Sequence, residues 1–235
     1  MSVAQETAGG PPQIQEFGDG ALLLTLGDRM DIDLNRRAHR LAAAIERLRA
    51  RDPRFRRALP GYVSVLAPFD PLELDAAEAR AVLEPLVIEA TAPGRNSQPD
   101  ERRPIITIPV RYGGNDGPDL ESVAELHGLR PRDVVDLHSG PLYHVFMIGF
   151  APGFAYLGPL PTEIETPRLA TPRPRVPSGS VAIAGGQTGV YPFAAPGGWR
   201  LIGRTDVPMW DLARSSPALL SAGDRVRFVP VDGPS

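Results

Sequence analysis

The chain has 235 residues, 42% of them apolar and 23% charged, and a net charge of −3. That is one to two domains of ordinary globular sequence, with no electrostatic reason to expect nucleic acid or an anionic membrane as partner. Cysteine is absent and all 25 basic residues are arginine. This excludes disulfides, thiolate nucleophiles, Cys-ligated metals, Walker-type lysines, Schiff bases, Ser-Lys amidase chemistry and a biotinyl-lysine on this chain.

No apolar run approaches the roughly 18 residues of a membrane helix, and MSVAQETAGGPPQ lacks the basic-then-apolar pattern of a secretory signal, so a cytoplasmic protein is predicted. Ile14–Phe17 and Ala21–Leu26 flank Gly18-Asp19-Gly20 and predict a hairpin. Leu34, Ala38, Leu41, Ile45 and Leu48 recur at helical spacing, with Asp31 or Asp33 as cap and Pro53 as terminator. A strand over Tyr62–Leu66 follows, then a helix from about Asp75 to Ala90 with Ala79, Val82, Leu83 and Leu86 inward and a kink at Pro85. The order β-β-α-β-α suits one sheet with its helices on one face, a small α+β domain over 1–90.

Residues 91–104, TAPGRNSQPDERRP, are polar and proline-bearing and read as a linker. Beyond it, 105–235 form a second domain. Ile105–Arg111 is a predicted strand, Gly113-Gly114 a turn, and Pro118–Gly128 and Pro131–Leu137 two short helices. From Tyr143 on only strands and turns are predicted, at Tyr143–Phe150, Ser180–Ala184, Val190–Phe193, Trp199–Arg204 and Arg225–Val229. Such spacing argues a β-barrel or sandwich. Between them, Ala151–Pro177 holds seven prolines without periodicity and reads as a long, stiff, functional loop.

Gly185-Gly186-Gln187-Thr188-Gly189 is either a hairpin turn or a backbone cradle for a carboxylate or phosphate. His39 and His127 fall on predicted solvent-facing helix surfaces, whereas His138 ends a helix and suits a general acid or base or a cleft-lining role. His138 and His144 match no established metal spacing, and no metal site is expected. Ser178 and Ser180 lack the nucleophile-elbow pattern. Arg168, Arg173 and Arg175 are either an anion site or a solvated cluster, and Arg204, at a predicted strand end, is the favoured oxyanion contact. Leu120–Leu137 has a helix-turn-helix outline, but Asp133 and Asp136 on its second helix speak against DNA.

The phrases GFAPGFAYLG (149–158), TPRPRVPSGSVAIAGGQTGVYP (171–192) and PGGWRLIGRT (196–205) resemble the family known as allophanate hydrolase subunit 1, KipI or the 5-oxoprolinase B subunit. YGGNDGPDL, HSGPLY, AGDRVRF and the N-terminal GDGALLLTLG fit the same pattern. The resemblance implies an α+β N-terminal domain followed by a cyclophilin-like barrel. It implies a companion chain with a related barrel, of the oxoprolinase C subunit or allophanate hydrolase subunit 2 type, and an A subunit of the LamB/YcsF type. The implied activity of the assembly is ATP-dependent opening of 5-oxo-L-proline to L-glutamate, with ATP and Mg bound in the complex. Phosphorylating the lactam oxygen would make the ring carbon electrophilic. Half of a urea-amidolyase-like carboxyltransferase and a KipI-type histidine-kinase inhibitor are the alternatives. Carried over by motif, His138 and Arg204 are the expected catalytic residues, and Tyr156, Gln187, Gly185 and Gly186 the expected substrate contacts.

Overall fold

The structure is a computed structural model that describes residues 11–92 and 104–232. The chain divides into two compact units, Met1–Asp100 and Glu101–Ser235. Apart from Thr91, Ala92 and Pro104, the expected linker lies outside the described residues.

The first unit runs β1 (Gln13–Glu16), β2 (Ala21–Thr25), α1 (Ile32–Arg49), β3 (Leu59–Pro60), β4 (Ser64–Pro68) and α2 (Ala76–Thr91). Its strands form one antiparallel sheet in the order β1-β2-β4-β3. Alternation puts Leu22, Leu24, Val65 and Ala67 on the buried face, against Leu34, Ala38, Leu41 and Ile45 of α1 and Ala79, Leu83 and Val87 of α2. Asp31 caps α1, accepting from the Asp33 and Leu34 backbone N–H groups at 2.9 Å each. The predicted Tyr62–Leu66 strand begins later, at Ser64, because Tyr62 is held in a turn. There the buried Asn35 side chain donates to the Tyr62 carbonyl at 2.7 Å. In α2 the buried stripe is Ala79, Leu83, Val87 and Ala90, so Val82 and Leu86 are only half-buried, and the helix continues through Pro85.

The second unit runs β5 (Ile105–Tyr112), α3 (Leu120–His127), α4 (Pro131–Ser139), β6 (Tyr143–Ile148), β7 (Ala155–Gly158), a 3₁₀ turn (Thr162–Ile164), β8 (Arg173–Val176), β9 (Ser180–Ala184), β10 (Gln187–Val190), β11 (Ala195–Gly197), β12 (Arg200–Arg204) and β13 (Arg225–Pro230). Seven strands close a barrel in the order β10-β7-β6-β13-β5-β12-β9, and β8 pairs with β11 in a separate two-stranded sheet. All neighbours are antiparallel except β13 and β5, which run parallel from Arg225↔Ile105 to Pro230↔Val110. Ile108, Val145, Leu157, Ile183, Ile202 and Phe228 fill the interior together with Val123 of α3 and Val134 of α4. The helix-turn-helix outline is thus part of the barrel core. On the outer wall a second cluster joins Ala182 and Ala184 of β9 to Phe154, Tyr191, Trp199 and Leu201.

Two expectations are corrected here. Ala151–Pro177 is not a structureless loop: it carries β7 and β8. β7 lies between prolines and pairs with β6 and β10, while β8 tolerates Pro174 because its sheet has only two strands. The strand expected at Val190–Phe193 lies earlier, at Gln187–Val190, because Gly185 turns the chain at a φ of 53° and pairing starts at Gln187↔Ala184.

Candidate functional site

On the outer wall of the barrel is a cleft of about 260 Å³. Its wall is aromatic: Phe150, Phe154, Tyr156, Tyr191 and Trp199. Pro172 and Pro196 to Gly198 close its rim, and Arg168 is its one charged lining residue. Buried Phe154 lies at the centre, edge-on to Tyr156 at 4.9 Å, Phe150 and Tyr191 at 5.4 Å and Trp199 at 5.6 Å between ring centroids, spacings favoured by aromatic quadrupoles. The β10 glycine Gly189 makes this packing possible, since a Cβ there would stand 2.9 Å from the Ala155 carbonyl oxygen and 3.1 Å from the Phe154 ring.

Phe150 is brought to the mouth by unusual backbone. Its φ is 64°, and the Ala151 N–H donates to the Gly149 carbonyl at 2.7 Å across it, closing a γ-turn. A bulky side chain in the left-handed region is strained, and such strain concentrates at functional sites. The ring remains 61% exposed. Burial raises the Tyr156 and Tyr191 phenols above their ordinary range, while the Arg168 charge draws both back toward ionisation.

Of the residues expected from sequence to touch substrate, Tyr156 lies in this cleft. Gln187, whose neighbour Thr188 points into the core, shares the outer face of β10 but is not part of the cleft lining. The Gly185 N–H is already given to the Thr166 carbonyl at 2.7 Å, and the Gly186 carbonyl accepts from Leu160 at 2.9 Å. The glycine pair therefore forms a tied hairpin turn rather than an open anion cradle. Arg204 pairs with Ser180 and Arg111 at the far end of β12, roughly 16 Å along the strand from Trp199.

His138 corrects the expected acid–base role. It is fully buried, its ring 4.7 Å from that of Phe228, with Tyr112 Oη 2.7 Å from Nδ1 and Thr188 Oγ1 2.8 Å from Nε2. The Thr188 hydroxyl donates to the Ala182 carbonyl at 3.1 Å, so it accepts from Nε2–H, and Nδ1 accepts from Tyr112. Both ring nitrogens are thus committed, and burial pushes the imidazole down to about 3. His144 alternates to the other side of the barrel wall from Tyr143 and Val145. Among the described residues no group of three or more His, Asp or Glu is placed to hold a metal.

His39 and His127 are half-buried rather than solvated, and His127 Nε2 lies 3.0 Å from Thr166 Oγ1. Ser178 donates to the Pro192 carbonyl at 2.8 Å, and Ser180 is buried. Arg173, expected in either an anion site or a solvated cluster, instead pairs with Asp119 at 2.7 Å, whose other oxygen accepts from the Leu201 N–H. Sequence reasoning missed Phe150, Phe154, Tyr191 and Trp199 as one wall. Their shared signal is aromatic residues set among glycine and proline in 149–158 and 191–199.

Residues 12–220 match the family described as carboxyltransferase domain, subdomain C and D. The chain is 40% identical over 225 residues to the 5-oxoprolinase B subunit of Bacillus subtilis, covering 93% of this chain and 92% of the relative. It is 44% identical over 217 residues to the 5-oxoprolinase B subunit of Escherichia coli O157:H7, covering 91% and 94%. The crystal structure of TTHA0988 superposes at a TM-score of 0.76 with 39% identity over 92% of this chain, which spans only 41% of that longer one. By the extent of these matches, the chain belongs to the carboxyltransferase-domain family, subdomain C and D.

Proposed function

We propose that this chain is the B subunit of an ATP-dependent 5-oxoprolinase and acts only when joined to a companion barrel chain and a LamB/YcsF-type chain. The observation that carries the reading is the match to two 5-oxoprolinase B subunits over more than nine-tenths of each chain. The cleft agrees with a shared active site. It offers an apolar surface and a cation, but no Ser, Thr, His, Asp or Glu lines it to act as nucleophile, base or magnesium ligand. With no lysine in the chain and the Gly185 N–H occupied, this donor set does not fit ATP with Mg, and nucleotide binding is assigned to the partner subunits. Held there, ATP would supply the phosphoryl group that activates the lactam. This chain's part is to hold the substrate and keep water from it.

Co-expression of the three subunits tests the proposal. Glutamate release from 5-oxo-L-proline, matched by ADP formation, is expected from the full assembly and absent from this chain alone. An assembly that ignores 5-oxo-L-proline and instead transfers a carboxyl group from added carboxybiotin to urea would replace the reading with the carboxyltransferase alternative.

A further inference from the structure

We propose that the aromatic cleft is a binding site for a small cyclic carboxylate, with Arg168 as the anion anchor and Tyr156 and Trp199 packing the ring. The identity of the acid, 5-oxo-L-proline, rests on the oxoprolinase reading above; the chemical class rests on the cleft. Arg168 is exposed and, among the described residues, has neither a hydrogen bond nor an ion pair, whereas Arg173 on the same segment is tied to Asp119. Its backbone is nevertheless fixed on both sides. Leu169 N–H donates to the Gly198 carbonyl at 2.7 Å, and the Arg200 guanidinium reaches the Pro167 carbonyl at 3.5 Å. A free guanidinium on a fixed base is prepared for a carboxylate, which its planar fork meets with two parallel hydrogen bonds. No acid lines the cleft to compete for it. The volume, about 260 Å³, is below the roughly 300–1,000 Å³ of sites for drug-sized ligands, which favours a single small ring over a nucleotide. The strained Phe150 at the mouth is the kind of backbone departure that binding sites retain.

The chain has two tryptophans, and only Trp199 lines the cleft. Titrating the full-length chain with 5-oxo-L-proline while following both indole N–H signals by NMR, told apart with Trp210→Phe, tests the site. Trp199 is expected to shift saturably and Trp210 to stay. Arg168→Gln, and replacement of the ligand by 2-pyrrolidinone (the same ring without its carboxylate), should each weaken binding about ten- to a hundredfold, the scale of one charged hydrogen-bonded pair. Absence of a saturable shift, equal binding of 2-pyrrolidinone, or unchanged binding by Arg168→Gln would each overturn the site. The functional reading fails separately. A wild-type assembly inactive on 5-oxo-L-proline refutes that reading and leaves a positive titration standing. An active assembly whose KM is unmoved by Arg168→Gln refutes the site alone.

Discussion

His138 shows how a residue with catalytic chemistry can be used as a core element. With Nδ1 accepting from Tyr112 and Nε2–H donating to Thr188, protonation would force the Tyr112 bond to reverse and strand a charge inside the barrel. The folded imidazole is held down at about 3, against an ordinary value near 6.5. Between those values the unfolded chain takes up a proton that the folded chain refuses. The stabilising contribution is therefore complete above about pH 6.5 and is lost as pH falls toward 3, at about 1.4 kcal/mol per pH unit. Urea unfolding at pH 7, 6 and 5 should show that decline in the wild type, and His138→Gln should flatten it; parallel profiles would disprove the linkage. Sequence reading marked His138 as special without seeing why, because a motif position does not reveal that the end of α4 is buried against the barrel core. The same limit applies to the arginines. Arg204 and Arg168 both sit beside glycine- or proline-rich turns, and only the fold shows that the Trp199 end of β12 and Arg168 line the cleft while Arg204 does not.

At the scale of elements, the long helices and several strands were legible because their patterns extend over several residues. Asp31 as a cap, the Leu34–Ile45 stripe and strand Ser180–Ala184 are local facts. β7 and β8 were not legible, being four residues each inside proline-rich sequence and defined by their partners. α2 carries a local conflict that sequence did reveal. Pro85 is exposed within the helix, where it withholds one backbone hydrogen bond and crowds the preceding turn. Pro85→Ala is expected to raise the stability of the first unit by about 1–3 kcal/mol, read as a higher thermal midpoint. A lower midpoint would mean that the surrounding packing has adapted to the proline.

For the molecule as a whole, composition and punctuation indicated an α+β region before a β-rich one, but not the strand order, since closure depends on pairings between distant segments. The two hydrophobic cores share no residue. Leu83→Ala in one and Ile108→Ala in the other should each cost about 2–5 kcal/mol, and their effects should add within about 0.5 kcal/mol in the double variant. Hydrogen exchange should place the loss from Leu83→Ala in Gln13–Thr91 and that from Ile108→Ala in the barrel. Loss of protection in both units from either substitution would contradict separate cores. The parallel pair β5–β13 also decides how the barrel closes. β13 lies between β5 and β6, so until it pairs, those two strands face each other as open edges of an unfinished sheet. The strands beneath the cleft, β7, β9, β10 and β12, need nothing from β13 to pair with one another. β13 is thus the keystone: the binding wall can pair without it, and its insertion between β5 and β6 seals the barrel behind that wall.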